Sequence, residues 1–329
     1  MKLVTLPDNL TRPLPFYLAE EEWLARLDDG EDYFFMWQVE PTVIIGRNQL
    51  AAKEVDLDYC RQAGIPVIRR KSGGGAVLAD LNNIMLSYIT TTNESVATTF
   101  TRYTSMIAGA LRTLGTEASS TSRNDVLIGE GKVSGNSYYR LGRRSIVHGT
   151  MLYDCDRELM SRVLRPSAAK LRSHGVESVR SRVTTIREHM PELSIDDFKK
   201  RLSETILKSG VETVTLSKDD ITDIEKLSHE YHDPARLTAL NPPADIEATC
   251  RINGIGTLSA HVTLRKGIIY DFSLTGDYLE TGDASATFGA LLSGAEFTPE
   301  GVRRTLAGLD TEALVPGLSL EQIIDLLFD

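Results

Sequence analysis

Hydrophobic positions recur along this chain with two periods, and the switches between them divide it into alternating helices and strands. Residues 15–27 open with Pro15, hold Glu20, Glu21 and Glu22 in their early turns, and carry Leu18, Trp23, Leu24 and Leu27 as an apolar stripe. They predict a helix ended by Asp28-Asp29-Gly30. Runs 33–39 and 42–45, rich in aromatic and β-branched residues and separated by Glu40-Pro41, predict a hairpin or two neighbouring strands. A short helix over 56–63 stops at Gly64 and returns to a strand at 65–69. Residues 84–91 predict a strand, 100–114 a helix closed by Gly115, and 146–152 a strand-like run broken by His148-Gly149.

Helical patterns follow at 194–208, with Asp196 and Asp197 early and Lys208 late, and at 219–231. The Pro- and Asn-bearing segment 232–244 reads as a linker. Beyond it, strand runs at 248–252, 256–264 and 268–274 are broken by Asn253-Gly254 and Lys266-Gly267, and helical patterns occupy 284–292, 299–307 and 320–328. The expected fold class is therefore α+β (α/β mixed), with a main domain over 1–244 and a small α+β domain over 245–329, in which no chemistry is legible.

Polar residues that interrupt this pattern carry the candidate chemistry. The apolar run Ile65-Pro66-Val67-Ile68 delivers Arg69-Arg70-Lys71-Ser72-Gly73-Gly74-Gly75, and apolar residues resume at once with Ala76-Val77-Leu78. A loop pinned between two core-like segments, with three successive glycines, is one whose backbone passes close to something, and the cations suggest an anion. The plain alternative is a surface turn with solvated charges. A second strand end carries Gly46-Arg47-Asn48-Gln49, a third place where ligand-facing groups sit in such folds is Arg123-Asn124-Asp125, and Gly131-Lys132-Val133-Ser134-Gly135 follows it. The last lacks the GxxxxGK[ST] spacing, so a P-loop is rejected. A lysine in a glycine-bounded hairpin is more often simply solvated, but one held rigidly there can stabilise charge on a carboxylate or phosphoryl oxygen, and Asn124-Asp125 adds an amide and a carboxylate that could hold a magnesium-bound phosphate. His148 reads first as a hydrogen-bonded core residue and only second as a catalyst or ligand, and Arg180 and Arg182, two apart, share a side if extended or are plain solvent-exposed loop cations.

Charge and cysteine usage narrow the class. A net charge of −10, from 46 acidic and 36 basic residues, excludes a general nucleic-acid binder, which needs a basic face. Any anion must meet a local patch, and Arg140, Arg143 and Arg144 form one that would suit an acidic partner protein. Cys60, Cys155 and Cys250 lie far apart without a CxxC, so no disulfide framework or zinc ribbon is encoded. No signal sequence and no membrane-length apolar run is present, and a cytoplasmic protein with no membrane partner is expected.

The combination resembles the lipoate–protein ligase family, a branch of the biotin/lipoate ligases, over essentially the whole chain. The resemblance rests on Glu40-Pro41-Thr42-Val43-Ile44-Ile45-Gly46-Arg47-Asn48-Gln49, the Arg69 to Val77 loop, Arg123-Asn124-Asp125, Gly131 to Gly135, His148-Gly149-Thr150 and Ser178-Val179-Arg180-Ser181-Arg182-Val183, in that order. It implies ATP-dependent activation of lipoate to lipoyl-AMP, then transfer to a lysine of lipoyl domains of 2-oxo-acid dehydrogenase acyltransferases or of the glycine-cleavage H protein, by a monomer. Lys132 is the implied catalytic residue. Arg70, Gly75, Ala76, Val77, Leu78, Asn124, Asp125, Lys132, His148, Gly149, Thr150, Arg180, Ser181 and Arg182 are the implied ATP and adenylate contacts. Arg70, Ser72, Gly73, Gly74, Gly75, Lys132, Ser134 and Gly135 are the implied lipoate contacts, and Asp125 the implied Mg²⁺ ligand. After Gly-Gly-Gly-Ala-Val the family continues with an aromatic residue and His-Asp-x-Gly-Asn-x-Asn, whereas Leu78, Ala79, Asn82 and Met85 depart from that pattern here. Two alternatives stay open: an octanoyl or lipoyl amidotransferase, for which the chain has Ser119, Ser120 and Ser122 but no cysteine near Lys132, and a non-catalytic lipoate-binding paralogue.

Overall fold

A computed structural model of the chain describes all residues except 9, 28, 92–93, 122–123, 166–182, 208–210, 239, 241 and 329. Among the described residues, strands β1 (Lys2–Thr5), β2 (Tyr33–Trp37), β3 (Thr42–Ile45), β4 (Val67–Arg69), β5 (Val77–Ala79), β6 (Asn83–Thr91), β7 (Ala118–Ser120), β8 (Asp125–Ile128), β9 (Gly131–Leu141), β10 (Arg144–Leu152), β11 (Thr213–Thr215), β12 (Ile246–Ile252), β13 (Gly256–Arg265) and β14 (Ile268–Gly276) form three sheets. The eight-stranded sheet runs β11-β1-β2-β6-β10-β9-β8-β7, and two three-stranded sheets run β4-β3-β5 and β12-β13-β14. The fold is mixed α/β, with a large sheet and a smaller C-terminal sheet-and-helix part.

The large sheet is covered on both faces, which is why its central strands read as near-continuous apolar runs. Phe34, Leu86, Tyr138 and Val147 point to one face, where the Val96–Thr113 and Ile195–Leu207 helices pack. Tyr33, Phe35, Tyr139 and Ile146 point to the other, under helix α1 (Leu14–Arg26). The alternation within 33–35 and within 138–139 is the two-residue period of a pleated strand. Behind the C-terminal sheet, the Ala284–Leu292, Pro299–Thr305 and Leu320–Phe328 helices enclose a separate core around Phe272, Tyr278 and Phe288.

Several expectations change. The two predicted strands at 33–39 and 42–45 are not partners: β2 pairs with β1 and β6, while β3 pairs with β4 and β5. Glu40-Pro41 is the crossing between sheets, where proline's missing N–H costs no ladder bond. His148-Gly149 does not break its strand, because β10 pairs without interruption with β6 and β9. Glu20, Glu21 and Glu22 fall in the middle of helix α1 rather than in its first turn, and all three are buried. Arg144 is not a free docking cation, being buried with its guanidinium on Leu27 O, Glu31 O and Asp29. The segment 232–244 contains a 3-10 turn ending at His232 and the short Ala235–Thr238 helix rather than bare linker.

Candidate active site

The glycine loop is held by main chain above and below. A Cβ on Gly46 would run into the carbonyl of Gly74, and one on Gly73 into the carbonyl of Tyr278, which also accepts from Gly74 N at 2.9 Å. The close approach that the three glycines signalled is thus, first, an approach of backbone to backbone. Its cations are engaged by protein groups. Arg69 donates to the carbonyls of Gly46, Arg47, Gln49, Arg236 and Leu237, stapling the β3 turn to the Ala235–Thr238 segment. Arg70 turns inward onto Ser72 Oγ (2.9 Å), Gly73 O (2.5 Å) and Gly75 O (2.9 Å). Burial pulls the Arg70 guanidinium down to about 10, against the opposing pull of the Glu21 charge. Lys71 reaches Glu22 at 2.8 Å and Glu230 at 3.0 Å. A cavity of about 440 Å³ lies against this loop, lined by Arg47, Arg70, Lys71, Gly73, Tyr139 and Arg140, among others.

Register brings the distant motifs together. On β9 and β10, Gly135 lies opposite Thr150, Asn136 opposite Gly149, and Ser137 opposite His148. The β8–β9 hairpin sets Asp125 opposite Gly135, and Lys132 Nζ meets Asp125 Oδ1 at 2.7 Å. Gly135 makes this pair possible, since a Cβ there would lie 2.6 Å from Lys132 Nζ and 2.7 Å from Cε. Gly149 leaves room in the same way for the Asn136 side chain. Asn124 and Asn136 clasp each other, Asn136 N and Nδ2 donating to Asn124 O (3.0 and 2.8 Å) and Asn124 Nδ2 to Asn136 O (2.5 Å). The Ser134 hydroxyl is buried and donates to Asn136 Oδ1 at 3.3 Å.

Val183 bridges Lys132 in parallel and Thr184 N donates to Lys132 O at 3.0 Å, so the chain emerging from 166–182 runs beside the lysine. Arg123, Arg180, Ser181 and Arg182 lie outside the described residues. Two residues along β9, about 7 Å, separate the Gly135–Thr150 pair beside Lys132 from Ser137, whose hydroxyl donates to Gly73 O at 2.7 Å. Lys132 and the glycine loop therefore share one strand pair as their floor. Val77 and Leu78 are strand residues of β5, with Leu78 packed in a core of Val43 and Cys60, and Ala76 at its margin. Ala79 and Met85, two of the departures from the family pattern, join a single apolar cluster with Trp37 and Ile44, so losses of polar groups there are matched.

Sequence reasoning missed Glu21, Asn136, Ser137 and the Tyr278 main chain. Glu21 had a signal: the stretch Leu14 to Leu27 offers no polar face apart from its glutamates and Arg26, so a covered helix must take carboxylates inside. Asn136 and Ser137 look like any strand polar residues, and Tyr278 acts through an atom that every residue has. For Mg²⁺ the fit rests on the donor set. No group of three or more ligating side chains occurs among the described residues, and a lone carboxylate such as Asp125 suits an ion held mainly by phosphate oxygens and water.

Comparison with known proteins shows the family. Residues 14–207 match the model of the lipoyl protein ligase A/B catalytic domain, and 241–327 that of the bacterial lipoate protein ligase C-terminus. Lipoate–protein ligase 1 of Staphylococcus aureus is 34% identical over 288 residues, 87% of this chain and 88% of that protein. The fold matches P. falciparum LipL1, solved in complex with lipoate, with a TM-score of 0.80 at 18% identity, over 99% of this chain and 97% of that one. A bi-partite lipoate protein ligase from Thermoplasma acidophilum, described with its E2 lipoyl domain, matches with a TM-score of 0.64 at 26% identity, over 74% and 98%. With both of its parts matched, and with a relative 34% identical over 87% of its length, this chain belongs to the lipoyl protein ligase A/B family.

Proposed function

We propose that the chain is an ATP-dependent lipoate–protein ligase that works in two steps. In the first, a lipoate carboxylate oxygen attacks the α-phosphorus of ATP, giving lipoyl-AMP and pyrophosphate. In the second, a lysine ε-amine of an acceptor attacks the lipoyl carbonyl carbon; the amide forms, the amine loses a proton, and AMP leaves. The observation that carries this reading is the Lys132–Asp125 pair at 2.7 Å, held over Gly135 on the strand pair that also supports the glycine loop.

Two anions must be brought together in the first step, and in this reading the Lys132 ammonium neutralises both. Its stem is fixed by the hairpin and its charge by Asp125, so little reorganisation accompanies the reaction. Bound with ATP, Mg²⁺ supplies charge neutralisation on the phosphates, and Asp125 is the residue offered to it. The cation-lined cavity beside Gly73 suits an acid of lipoate size. In this reading the chain at Val183 and Thr184, which runs beside Lys132, helps to keep water from the reactive mixed anhydride. Acceptors are the lipoyl domains of 2-oxo-acid dehydrogenase acyltransferases and the glycine-cleavage H protein. The enzyme acts as a monomer, and in the cytoplasm, a compartment that suits its three free cysteines.

The test is pyrophosphate release with ATP, Mg²⁺ and either lipoate or octanoate, comparing the native chain with Lys132→Ala. Acid-dependent release that falls about a hundredfold or more in the variant is expected, the usual effect of removing one preorganised charge partner. Lipoate binding without release in the native chain would instead identify a non-catalytic binder. Mass spectrometry of an apo lipoyl domain added to the same mixture reads the second step.

A further inference from the structure

Between helix α1 and the glycine loop runs one uninterrupted series of hydrogen bonds. Both Glu21 carboxylate oxygens lie 2.9 Å from His148 Nδ1, and His148 Nε2 lies 2.7 Å from Ser72 Oγ. Ser72 Oγ accepts from Arg70 Nε at 2.9 Å, and Arg70 Nη2 reaches the carbonyls of Gly73 and Gly75. Glu21 is 0%, Ser72 1%, His148 5% and Arg70 6% exposed, so donors and acceptors must be matched within the network.

The matching leaves a single arrangement of protons. A guanidinium only donates, so one lone pair of Ser72 Oγ is taken by Arg70. The indole of Trp37 also only donates, to Ser87 Oγ at 2.9 Å, which turns the Ser87 hydrogen onto Glu21 Oε1 at 2.5 Å. Glu21 is thus an acceptor on every side, and His148 must carry its hydrogen on Nδ1. The Nε2 lone pair is then free to take the Ser72 hydrogen. The opposite tautomer would set two donors on Ser72 and leave its hydrogen without an acceptor.

We infer that Glu21 is a positioning residue of the ligation site: by holding His148 in the Nδ1–H tautomer, it fixes the Ser72 hydroxyl and, through Ser72, the clamp of Arg70 on Gly73 and Gly75. The functional part rests on the ligase reading. Glu21 touches no reacting atom; it sets the shape of the loop that the acyl acid meets.

The test compares the native full-length chain with Glu21→Gln, which keeps an amide oxygen for Nδ1–H, and Glu21→Leu, which offers no acceptor. Nitrogen-15 spectra of the histidine rings, with His148 assigned by its loss in His148→Gln, should report Nδ1–H in the native chain and in Glu21→Gln, and a different or mixed tautomer in Glu21→Leu. In the pyrophosphate assay, Glu21→Leu should raise the KM for lipoate about three- to tenfold, the equivalent of one hydrogen bond, with kcat and the KM for ATP within about twofold. Glu21→Gln should stay near native. A native spectrum showing Nε2–H or a doubly protonated ring overturns the inference without any variant, even if Glu21→Leu does not fold. An unchanged lipoate KM in Glu21→Leu, or an equal loss in Glu21→Gln and Glu21→Leu tracking a lower Tm, also overturns it. A native chain that releases no pyrophosphate with either acid sinks the ligase reading instead, and the tautomer is still decided by the spectra.

Discussion

A lysine ammonium on a four-carbon stem is useful to a reaction only where something limits its freedom. Here the limit comes from a residue with no side chain: Gly135 lets the Lys132 stem fold across the strand to Asp125. Gly135→Ala should therefore separate stability from activity. The clashing atoms are the far end of a flexible side chain, so Tm should move by only about 2–3 °C, corresponding to under about 1 kcal/mol in a chain of this size. Pyrophosphate release should fall about tenfold or more, because the displaced ammonium no longer meets both anions. Calorimetry beside the pyrophosphate assay checks both; a large Tm loss with normal specific activity would contradict it. Residues such as Lys132, Asp125, His148 and the glycines were legible in the sequence as candidates because their types are unusual where they stand. Asn136 and Ser137 were not, since nothing in a strand pattern says which polar residues face a ligand loop.

Helix α1 was placed to within a residue at each end, yet the burial of its glutamates was not read from it. Three adjacent glutamates normally mark a solvated turn, and only the sheet above and the 218–232 segment beside it bury them. Glu22 meets Lys71 and Tyr231, Glu21 meets His148, and Glu20 is left with its Oε2 unpartnered. Burial, reinforced by the neighbouring Glu21 charge, pushes the Glu20 carboxyl up to about 8 from its ordinary 4.5. Because the folded chain holds this proton more tightly than the unfolded one, Glu20 favours folding below about pH 4.5, and that advantage is lost as pH rises towards 8. Glu20→Gln keeps the neutral shape at every pH. It should gain stability over the native chain between pH 5 and pH 8 by at least about 1.4 kcal/mol, one pKa unit's worth. Denaturant unfolding of both chains at the two pH values measures this, and a difference independent of pH would refute it. The strands at 42–45, 84–91 and 256–264 were read to within a residue, whereas β1, β7, β9 and β11 were not read at all; nor was the assignment of β3 to a sheet apart from β2, because pairing partners far along the chain leave no local trace.

At the scale of the molecule, the C-terminal part is fastened to the loop region at several points. Gly276 N donates to Asn48 O at 2.8 Å, Asn48 Nδ2 reaches the buried Glu280 at 2.9 Å, and Arg47 pairs with Asp283 at 2.6 Å. The exposed Arg47–Asp283 pair adds little by itself. The decisive contact is Tyr278 O against Gly73 and Gly74, where neither side can yield by turning a side chain. Gly73→Ala should cost about 1–3 kcal/mol, the range for overpacking a tight contact, and should expose residues 232–244 to limited proteolysis. Unchanged melting and cleavage would show that the contact is slack. The C-terminal elements themselves were legible from their turns, but a joint between two carbonyl-bearing backbones carries no residue signature.

That joint has a consequence for how such a chain can change over time. Substituting Tyr278 or Leu279 alters the packing of the C-terminal core but leaves the carbonyl that presses on Gly73 where it was, so the contact is blind to amino-acid identity on one side. On the other side almost any replacement of Gly73 is barred. The partnership is therefore lopsided: one surface is free to drift in sequence while its mate is pinned to a single residue type.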